Sequence, residues 1–240
     1  MKITTQQIND HEGVTLTCYV QDMSAEMSNM NRRPAILIFP GGGYHFCSDR
    51  EAEPIALAYA AKGYNAFVLR YSLQEQSQFP RPLTDAEDAL EHIKTQANKY
   101  HIDPNKIAVI GFSAGGHLAA MLSTAGRLRP SATLLGYPAV LREPKVWEYP
   151  VPKVDRKTPE MFLFHTDKDD LVSTKNILHM MQELHRNNIP MECHLFRSGV
   201  HGLSLSNEIV SNGSNKMIEP RFAAWFDLSI TWLEEVLKPY

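Results

Sequence analysis

The stretch Ile107-Ala108-Val109-Ile110-Gly111-Phe112-Ser113-Ala114-Gly115 joins an apolar run to a G-x-S-x-G motif. A continuous apolar run is typical of a strand covered on both faces, and a helical pattern begins at Ala114. Where this motif turns a strand into a helix, the two glycines permit so sharp a turn that the serine hydroxyl is exposed. A glycine-rich helix start is the alternative, but these flanks favour Ser113 as a nucleophile and the backbone N–H of Ala114 as an oxyanion donor.

Short apolar runs alternate with longer amphipathic patterns along the rest of the chain. The runs predict strands at residues 35–39, 66–69, 107–110, 132–135 and 161–164, with a weaker one at 193–196. The amphipathic patterns predict helices at residues 53–62, 85–100, 114–124, 174–187 and 222–237. This alternation predicts an α/β fold, with a mostly parallel central sheet and helices on both faces. Residues 16–20 alternate in polarity and predict an antiparallel edge strand.

One helix carries a start signal of its own. Thr84-x-x-Glu87 has the spacing of a capping box, in which each side chain bonds a backbone N–H that the helix leaves unsatisfied. Apolar residues follow this motif at helical spacing. The pattern therefore predicts that the second helix begins at Asp85.

The overall composition is that of an ordinary globular protein. A length of 240 residues, with 43% hydrophobic and 21% charged residues, predicts a single domain over residues 1–240. The proline-containing stretch at residues 137–159 is too short for a second domain or a large cap. A net charge of −3 lacks the basic surplus of nucleic-acid-binding proteins, so nucleic acid is excluded as a partner.

The cysteines and apolar segments bear on the compartment. Cys18, Cys47 and Cys193 are widely spaced and form no CxxC pair, which predicts free thiols in a reducing environment. The N-terminus has no apolar signal segment, and every apolar stretch falls short of the roughly 18 residues that span a membrane. We therefore expect a cytoplasmic protein with no membrane partner. No HExxH pattern or comparable ligand spacing occurs, so neither a metal nor a cofactor is expected.

A serine hydroxyl needs a neighbouring base and an acid that orients it. The loop after the strand at 161–164 carries three acids, and Gly199-Val200-His201-Gly202 follows the last strand. We select Asp169, because it lies far enough past the strand to turn back toward the serine, with Asp170 and then Asp167 as alternatives. Each acid could instead be a solvated loop charge, and His201 could be a surface residue. The order serine, aspartate, histidine is that of α/β-hydrolases.

A second oxyanion donor is expected from the loop after an earlier strand. Pro40-Gly41-Gly42-Gly43-Tyr44 follows the run at 35–39 directly. Glycines allow backbone N–H groups to approach a tetrahedral oxyanion without interference from a Cβ atom. A phosphate-binding loop is disfavoured because the lysine and the Ser/Thr of that motif are missing. Gly42 and Gly43 are therefore the candidate donors from this loop.

These motifs together resemble the α/β-hydrolase superfamily, and within it the compact carbohydrate-esterase-like proteins related to acetyl xylan and feruloyl esterases. Besides the motifs above, the resemblance rests on Arg50-Glu51-x-Glu53-Pro54, Gly63-Tyr64-Asn65, Arg70-Tyr71-Ser72 and His165-Thr166-x-x-Asp169-x-x-Val172. It implies Ser113 as nucleophile, Asp169 and His201 as its partners, and Gly42, Gly43 and Ala114 around the oxyanion. Ser173 stands where the family usually has proline, which affects the path of the acidic loop.

The expected function is that of a serine carboxylesterase acting on small acyl esters, such as acetyl groups on carbohydrates, through an acyl-enzyme. An arylformamidase-type amidase and a catalytically silent, hydrolase-like binding protein remain alternatives. The expected partner is a small-molecule ester, and the oligomeric state is left open. Four aromatic residues could line a pocket or pack elsewhere: Tyr44, Phe46, Trp147 and Tyr149.

Overall fold

The computed structural model of the protein describes residues 1–142 and 148–237. Within these residues, eight strands form one sheet. The strands are β1 (Lys2–Gln7), β2 (Thr15–Val20), β3 (Arg33–Phe39), β4 (Asn65–Arg70), β5 (Ile102–Phe112), β6 (Ala132–Gly136), β7 (Met161–Thr166) and β8 (Met191–Phe196). Their order across the sheet is β1-β2-β4-β3-β5-β6-β7-β8, and pairing is parallel from β4 to β8. The predicted mostly parallel sheet is confirmed.

The position of the edge strand was predicted incorrectly. β2 is antiparallel as expected, but it pairs with β4 on one side and with β1 on the other, from Lys2 opposite Val20 to Gln7 opposite Thr15. The outermost strand is therefore β1. Its sequence is polar and its side chains are mostly exposed. Hydrophobic periodicity identifies strands by their buried faces, so it gave no signal for this one.

In the described part of the chain, six α-helices pack against the sheet. They are α1 (Glu53–Ala61), α2 (Arg81–Thr95), α3 (Ala114–Ala125), α4 (Lys175–Arg186), α5 (Pro220–Ala223) and α6 (Trp225–Val236). One apolar cluster lies between the sheet and α2, α3 and α4, and a second lies between the sheet and α1, α5 and α6. Residues of β3 alternate between the clusters: Leu37 and Phe39 belong to the first, Ile36 and Ile38 to the second. The prediction of helices on both faces is confirmed.

Several helix boundaries differ from the predictions, among them the end of the second helix, which lies at Thr95 instead of residue 100. The helix expected to begin at Asp85 begins at Arg81, so Thr84 lies inside its first turn. The carboxylate of Glu87 accepts hydrogen bonds from the backbone N–H and Nε of Arg127, at 2.6 and 2.8 Å, and is engaged in a tertiary contact instead of a cap. The last predicted helix is divided at Ala224 into α5 and α6.

The sheet brings the candidate residues to one edge. β3, β5 and β7 run parallel, so the glycine loop, Ser113 and the acidic loop all follow the carboxyl ends of their strands. Ligand sites of open α/β sheets lie at this edge. Among the described residues, none of the helices combines the length and the hydropathy needed to span a membrane.

Candidate active site

Ser113 lies in a strained turn between β5 and α3. Its backbone has φ +52° and ψ −115°, outside the conformations that residues with a side chain normally adopt. A Cβ atom at Gly111 would overlap the carbonyl oxygen of Gly115, and one at Gly115 would overlap the carbonyl oxygen of Phe39. Both glycines are therefore required by close backbone contacts. The backbone N–H of Ser113 donates to the carbonyl of Gly136 at 3.0 Å, which fixes the turn against the next strand.

The three side chains selected from the sequence form one hydrogen-bonded series. Ser113 Oγ lies 2.9 Å from His201 Nε2, and His201 Nδ1 lies 2.8 Å from Asp169 Oδ2. The side chain of Asp169 is 1% exposed and that of His201 is 13% exposed, so water has little access to their bond. The arrangement is that of a serine nucleophile with a base and an orienting acid. Ser113 and His201 also line a cavity through which a small molecule can reach them.

The surroundings of Asp169 favour its ionised form. Burial alone would raise the pKa of its carboxyl, but the hydrogen bond and charge of His201 and the N–H groups of Val172 and Leu171 lower that pKa below its usual value. The two N–H groups lie 2.7 and 2.9 Å from Oδ1, which leaves Oδ2 for the imidazole. A carboxylate held in this way keeps the proton of His201 on Nδ1 and leaves Nε2 free to accept one.

The other two acids of this loop have different partners. Asp170 Oδ1 accepts the backbone N–H of His201 at 3.2 Å, and Asp167 Oδ2 lies 3.2 Å from Lys168 Nζ at the surface. Neither acid is hydrogen-bonded to the imidazole. Of the three candidates, Asp169 alone has the geometry that the series requires. Ser173, where proline is usual, accepts the backbone N–H of Asn176 at 3.0 Å, and the loop still brings Asp169 to His201.

Gly42 and Gly43 lie beside Ser113 in the cavity wall. Their φ values of +124° and +64° lie in the left-handed half of conformational space, which favours glycine. At Gly42 a Cβ atom would also overlap the carbonyl oxygen of Phe46. Within the described part of the chain, no acceptor takes the N–H groups of Gly42, Gly43 or Ala114. These three N–H groups are therefore unpaired in the described part of the chain, as donors to an oxyanion must be.

Glu51 holds this loop and was not selected from the sequence. Its Oε2 accepts the N–H of Gly41 at 2.8 Å, and its Oε1 accepts the hydroxyl of Tyr137 at 2.6 Å. The ring of Tyr137 contacts His201 edge-on, with 5.1 Å between centroids. Burial raises the pKa of Glu51, although both hydrogen bonds oppose that rise. The Arg-Glu motif of the resemblance contained this residue but gave no role for it.

His117, one helical turn after Ser113, is packed below the turn. It is fully buried, and burial lowers its pKa to about 4, so the imidazole is neutral at pH 7. Its Nε2 lies 2.6 Å from the carbonyl oxygen of Pro150, and its Nδ1 lies 2.8 Å from the Tyr44 hydroxyl. Because a carbonyl only accepts, Nε2 carries the proton and Nδ1 accepts from Tyr44. His117 is therefore part of the interior and has no contact with Ser113 Oγ.

The aromatic candidates have separate locations. Tyr44 is buried and packs against Tyr149, with 4.4 Å between ring centroids, so these two belong to the interior. Phe46 is 60% exposed and lines the cavity. Trp147 lies outside the described residues.

The cavity has a volume of about 500 Å³ and a mixed lining. Its apolar part is formed by Phe46, Ala139, Leu141, Leu171 and Val172, and its polar part includes His45, Ser48, Arg50, Glu51 and Asn176. A cavity of this size and composition suits a small molecule. In residues 1–142 and 148–237, no cluster of three or more histidine, cysteine or acidic side chains is arranged to hold a metal ion.

Comparisons with known proteins bear on the fold and the family of this chain. The family model BD-FAE matches residues 22–133. The crystal structure of MGS-M1, an α/β-hydrolase enzyme from a Medee basin deep-sea metagenome library, is 66% identical and superposes with a TM-score of 0.98 over 99% of this chain and 98% of that one. The carboxylesterase Cest-2923 from Lactobacillus plantarum is 27% identical, with a TM-score of 0.90 over the whole of both chains.

A curated relative points to the carbohydrate-esterase-like group. An acetylxylan esterase from Xylanibacter ruminicola is 30% identical over 145 residues, which are 59% of this chain and 28% of that protein. The present chain spans only 36% and 28% of the first two curated relatives that it matches. MGS-M1, in contrast, is matched along nearly its entire length. The chain therefore belongs to the α/β-hydrolase superfamily and, within it, to the carbohydrate-esterase-like group that its motifs predicted.

Proposed function

We propose that this protein is a serine carboxylesterase that hydrolyses small acyl esters, acetyl esters of carbohydrates above all. The observation that carries the proposal is the hydrogen-bonded series from Ser113 through His201 to Asp169 at the wall of a cavity. The names of the acetylxylan esterase and of the carboxylesterase Cest-2923 support the same reaction class.

In the proposed reaction, Ser113 Oγ attacks the ester carbonyl while His201 Nε2 takes its proton. The oxyanion that forms accepts hydrogen bonds from the backbone N–H groups of Gly42, Gly43 and Ala114. Each such donor stabilises a transition state of this kind by roughly 2.7–4 kcal/mol. His201 then returns the proton to the leaving alcohol, which leaves an acyl group on Ser113. Water, activated by His201 in the same way, releases the acid. Asp169 stabilises the imidazolium throughout.

The preference for a small acyl group is proposed from the resemblance, and the cavity limits the total size of the ester. The cavity volume of about 500 Å³ must hold both the acyl and the alcohol parts of the ester. Each methylene that such a pocket cannot admit forfeits roughly 0.8 kcal/mol of burial, which is about a fourfold loss in rate constant. We expect kcat/KM to fall along the series 4-nitrophenyl acetate, butyrate, octanoate and palmitate. A maximum at octanoate or beyond would exclude the small-acyl proposal.

Two alternatives are separated by the same assays. An arylformamidase would use the same groups on an amide, so it would cleave a formyl anilide faster than 4-nitrophenyl acetate. A silent binding protein would cleave neither substrate. Labelling of Ser113 by a fluorophosphonate probe, lost in Ser113→Ala and kept in the remote control Ser28→Ala, is the outcome expected of an active serine hydrolase. Absence of labelling in the unmodified protein would favour the binding protein.

We also propose a cytoplasmic location. The three cysteines Cys18, Cys47 and Cys193 are free thiols, and two of them are buried, which suits a reducing compartment. Cell fractionation with a compartment marker tests this, and recovery with secreted proteins would contradict it.

A further inference from the structure

Arg50 brings a positive charge to the cavity that holds Ser113. It lies in a short helical turn, residues Asp49–Glu51, that follows the glycine loop, and it lines the cavity. Its Nη2 is 3.5 Å from the point that a Cβ atom of Gly202 would occupy. The guanidinium therefore lies beside the residue that follows His201.

This guanidinium forms no ion pair with an acid among the described residues, although its charge helps to lower the pKa of Glu51, which burial raises. Arg50 is only partly exposed, yet it forms no ion pair, and its guanidinium donates no hydrogen bond to the described part of the protein. The neighbouring acids are engaged elsewhere. Asp49 Oδ1 pairs with another arginine at 2.6 Å, both oxygens of Glu51 accept hydrogen bonds, and Asp170 accepts the N–H of His201. All five N–H donors of Arg50 therefore remain for a ligand.

The position of Arg50 indicates which part of an ester it would contact. In the proposed reaction, His201 donates its proton to the leaving alcohol, so the alcohol part must lie on the His201 side of the scissile bond. Arg50 Nη2 lies next to Gly202, the residue that follows His201, which favours a contact with the alcohol part. A planar guanidinium matches the two oxygens of a carboxylate better than any other common group.

We propose that Arg50 binds a carboxylate on the alcohol part of the substrate. The inference rests on the proposed function and narrows it: the preferred substrate is the acyl ester of an acidic alcohol, such as an acetylated sugar acid. The acyl part then occupies the rest of the cavity.

The test compares esters that differ only in this charge. The substrates are 3-acetoxybenzoate and its neutral isostere 3-acetoxybenzamide, and the readout is the ratio of their kcat/KM values. In Arg50→Gln we expect the ratio to fall by about tenfold, the usual effect of losing hydrogen bonds to a charged group. Arg32→Gln, which removes the same charge from an exposed site where Arg32 bonds Asn98, should leave the ratio unchanged.

A second pair of esters carries the charge on the acyl side. The ratio for phenyl glutarate, with a free carboxylate, against phenyl pentanoate should change less than twofold in Arg50→Gln. A ratio for the acetoxybenzoate pair within twofold of the unmodified protein would overturn the proposal, and so would a larger change for the glutarate pair. If Arg50→Gln fails to fold, the ratio in the unmodified protein must still fall as NaCl rises from 20 to 500 mM, since salt screens the contact.

A binding measurement separates this proposal from the proposed function. Ser113→Ala cannot hydrolyse the ester, so calorimetry can measure its affinity for intact 3-acetoxybenzoate directly. We expect the affinity to fall about tenfold when Arg50→Gln is added to Ser113→Ala, again from the lost charged contact. No hydrolysis of any ester by the unmodified protein would contradict the esterase proposal alone, whereas an unchanged affinity would contradict the role of Arg50 alone.

Discussion

The turn that carries Ser113 and the loops that face it are held in place in different ways. At Gly111 and Gly115 the backbone itself leaves no room for a side chain, and nearly every residue of β5 and α3 around Ser113 is buried. The loops that carry Asp169 and His201 are partly exposed and depend on a few hydrogen bonds. The position of the serine is thus set by steric exclusion between neighbours in sequence, whereas that of its partners is set by contacts between distant segments. Variants on each side should therefore fail differently.

The largest effect is expected at Ser113 and His201, whose hydrogen bond joins the turn to one of the loops. Ser113→Ala and His201→Ala should each lower kcat by about 10⁶-fold, as loss of a nucleophile or base does in enzymes of this type. Both variants should keep the fold, because each removes a side chain at the wall of a cavity. Rates on 4-nitrophenyl acetate, with circular dichroism as the folding control, test this. If either variant kept a tenth of the unmodified protein's rate, the assignment of Ser113 as nucleophile with His201 and Asp169 as its partners would be wrong.

The acidic loop offers an internal comparison of next-neighbour acids. Asp169→Asn should lower kcat by about 10⁴-fold, since control of the histidine tautomer is lost while the shape is kept. Asp170→Asn and Asp167→Asn should have mild effects, because neither carboxylate contacts the imidazole. If kcat fell strongly in Asp170→Asn and only slightly in Asp169→Asn, the acid that orients His201 would be Asp170.

The buried side of the turn can be probed by pH through His117. Burial lowers its pKa from 6.5 in the unfolded chain to about 4. The stability due to its neutral form is therefore complete above about pH 6.5 and is lost as the pH falls toward 4. The free energy of unfolding should fall between pH 7 and pH 4.5 in the unmodified protein, and this fall should be about 2 kcal/mol smaller in His117→Gln. Urea unfolding at both pH values measures it, with the exposed His185→Gln as the control, and equal drops in both variants would contradict the assignment.

Glu51 joins the two regions, and its loss should have the smallest of these effects. Glu51→Gln leaves one acceptor oxygen for two donors, Gly41 and Tyr137, so we expect a roughly tenfold lower kcat with little change in KM, as one buried hydrogen bond is lost. Glu53→Gln, at an exposed position of the same motif, is the matched control. A lower melting temperature with an unchanged kcat would make Glu51 a structural residue without influence on the reaction.

These differences also explain what could be predicted from the sequence. Ser113 was identified because the strand, the turn and the helix that hold it are adjacent in the chain. The choice among Asp167, Asp169 and Asp170 depended on contacts with a loop about thirty residues away, so the spacing could rank the acids but not distinguish their partners. Arg50 and Glu51 belong to a motif that supported the resemblance, but the motif gave neither residue a role. Their contacts with Gly202 and Tyr137 join segments that are distant in sequence.

The errors in the fold have similar causes. β1 was missed because its polar side chains carry no apolar pattern, and it is a strand only through its pairing with β2. Thr84 and Glu87 have the spacing of a cap, but Glu87 forms a tertiary contact with Arg127 instead. For Tyr44 the sequence left open whether it lines a pocket or packs elsewhere, because that depends on a distant partner: its buried hydroxyl is hydrogen-bonded to His117.

The backbone of Ser113 implies a trade between durability and reactivity. A residue with a side chain at φ +52° and ψ −115° costs of order 1–3 kcal/mol relative to one that is free of strain. Glycine adopts this backbone conformation without the cost, so Ser113→Gly should raise the stability of the protein. The same substitution removes the hydroxyl that the strained turn exposes. A search for heat resistance that ignored turnover would thus tend to discard the serine, and the stabilising changes worth seeking lie elsewhere in the molecule.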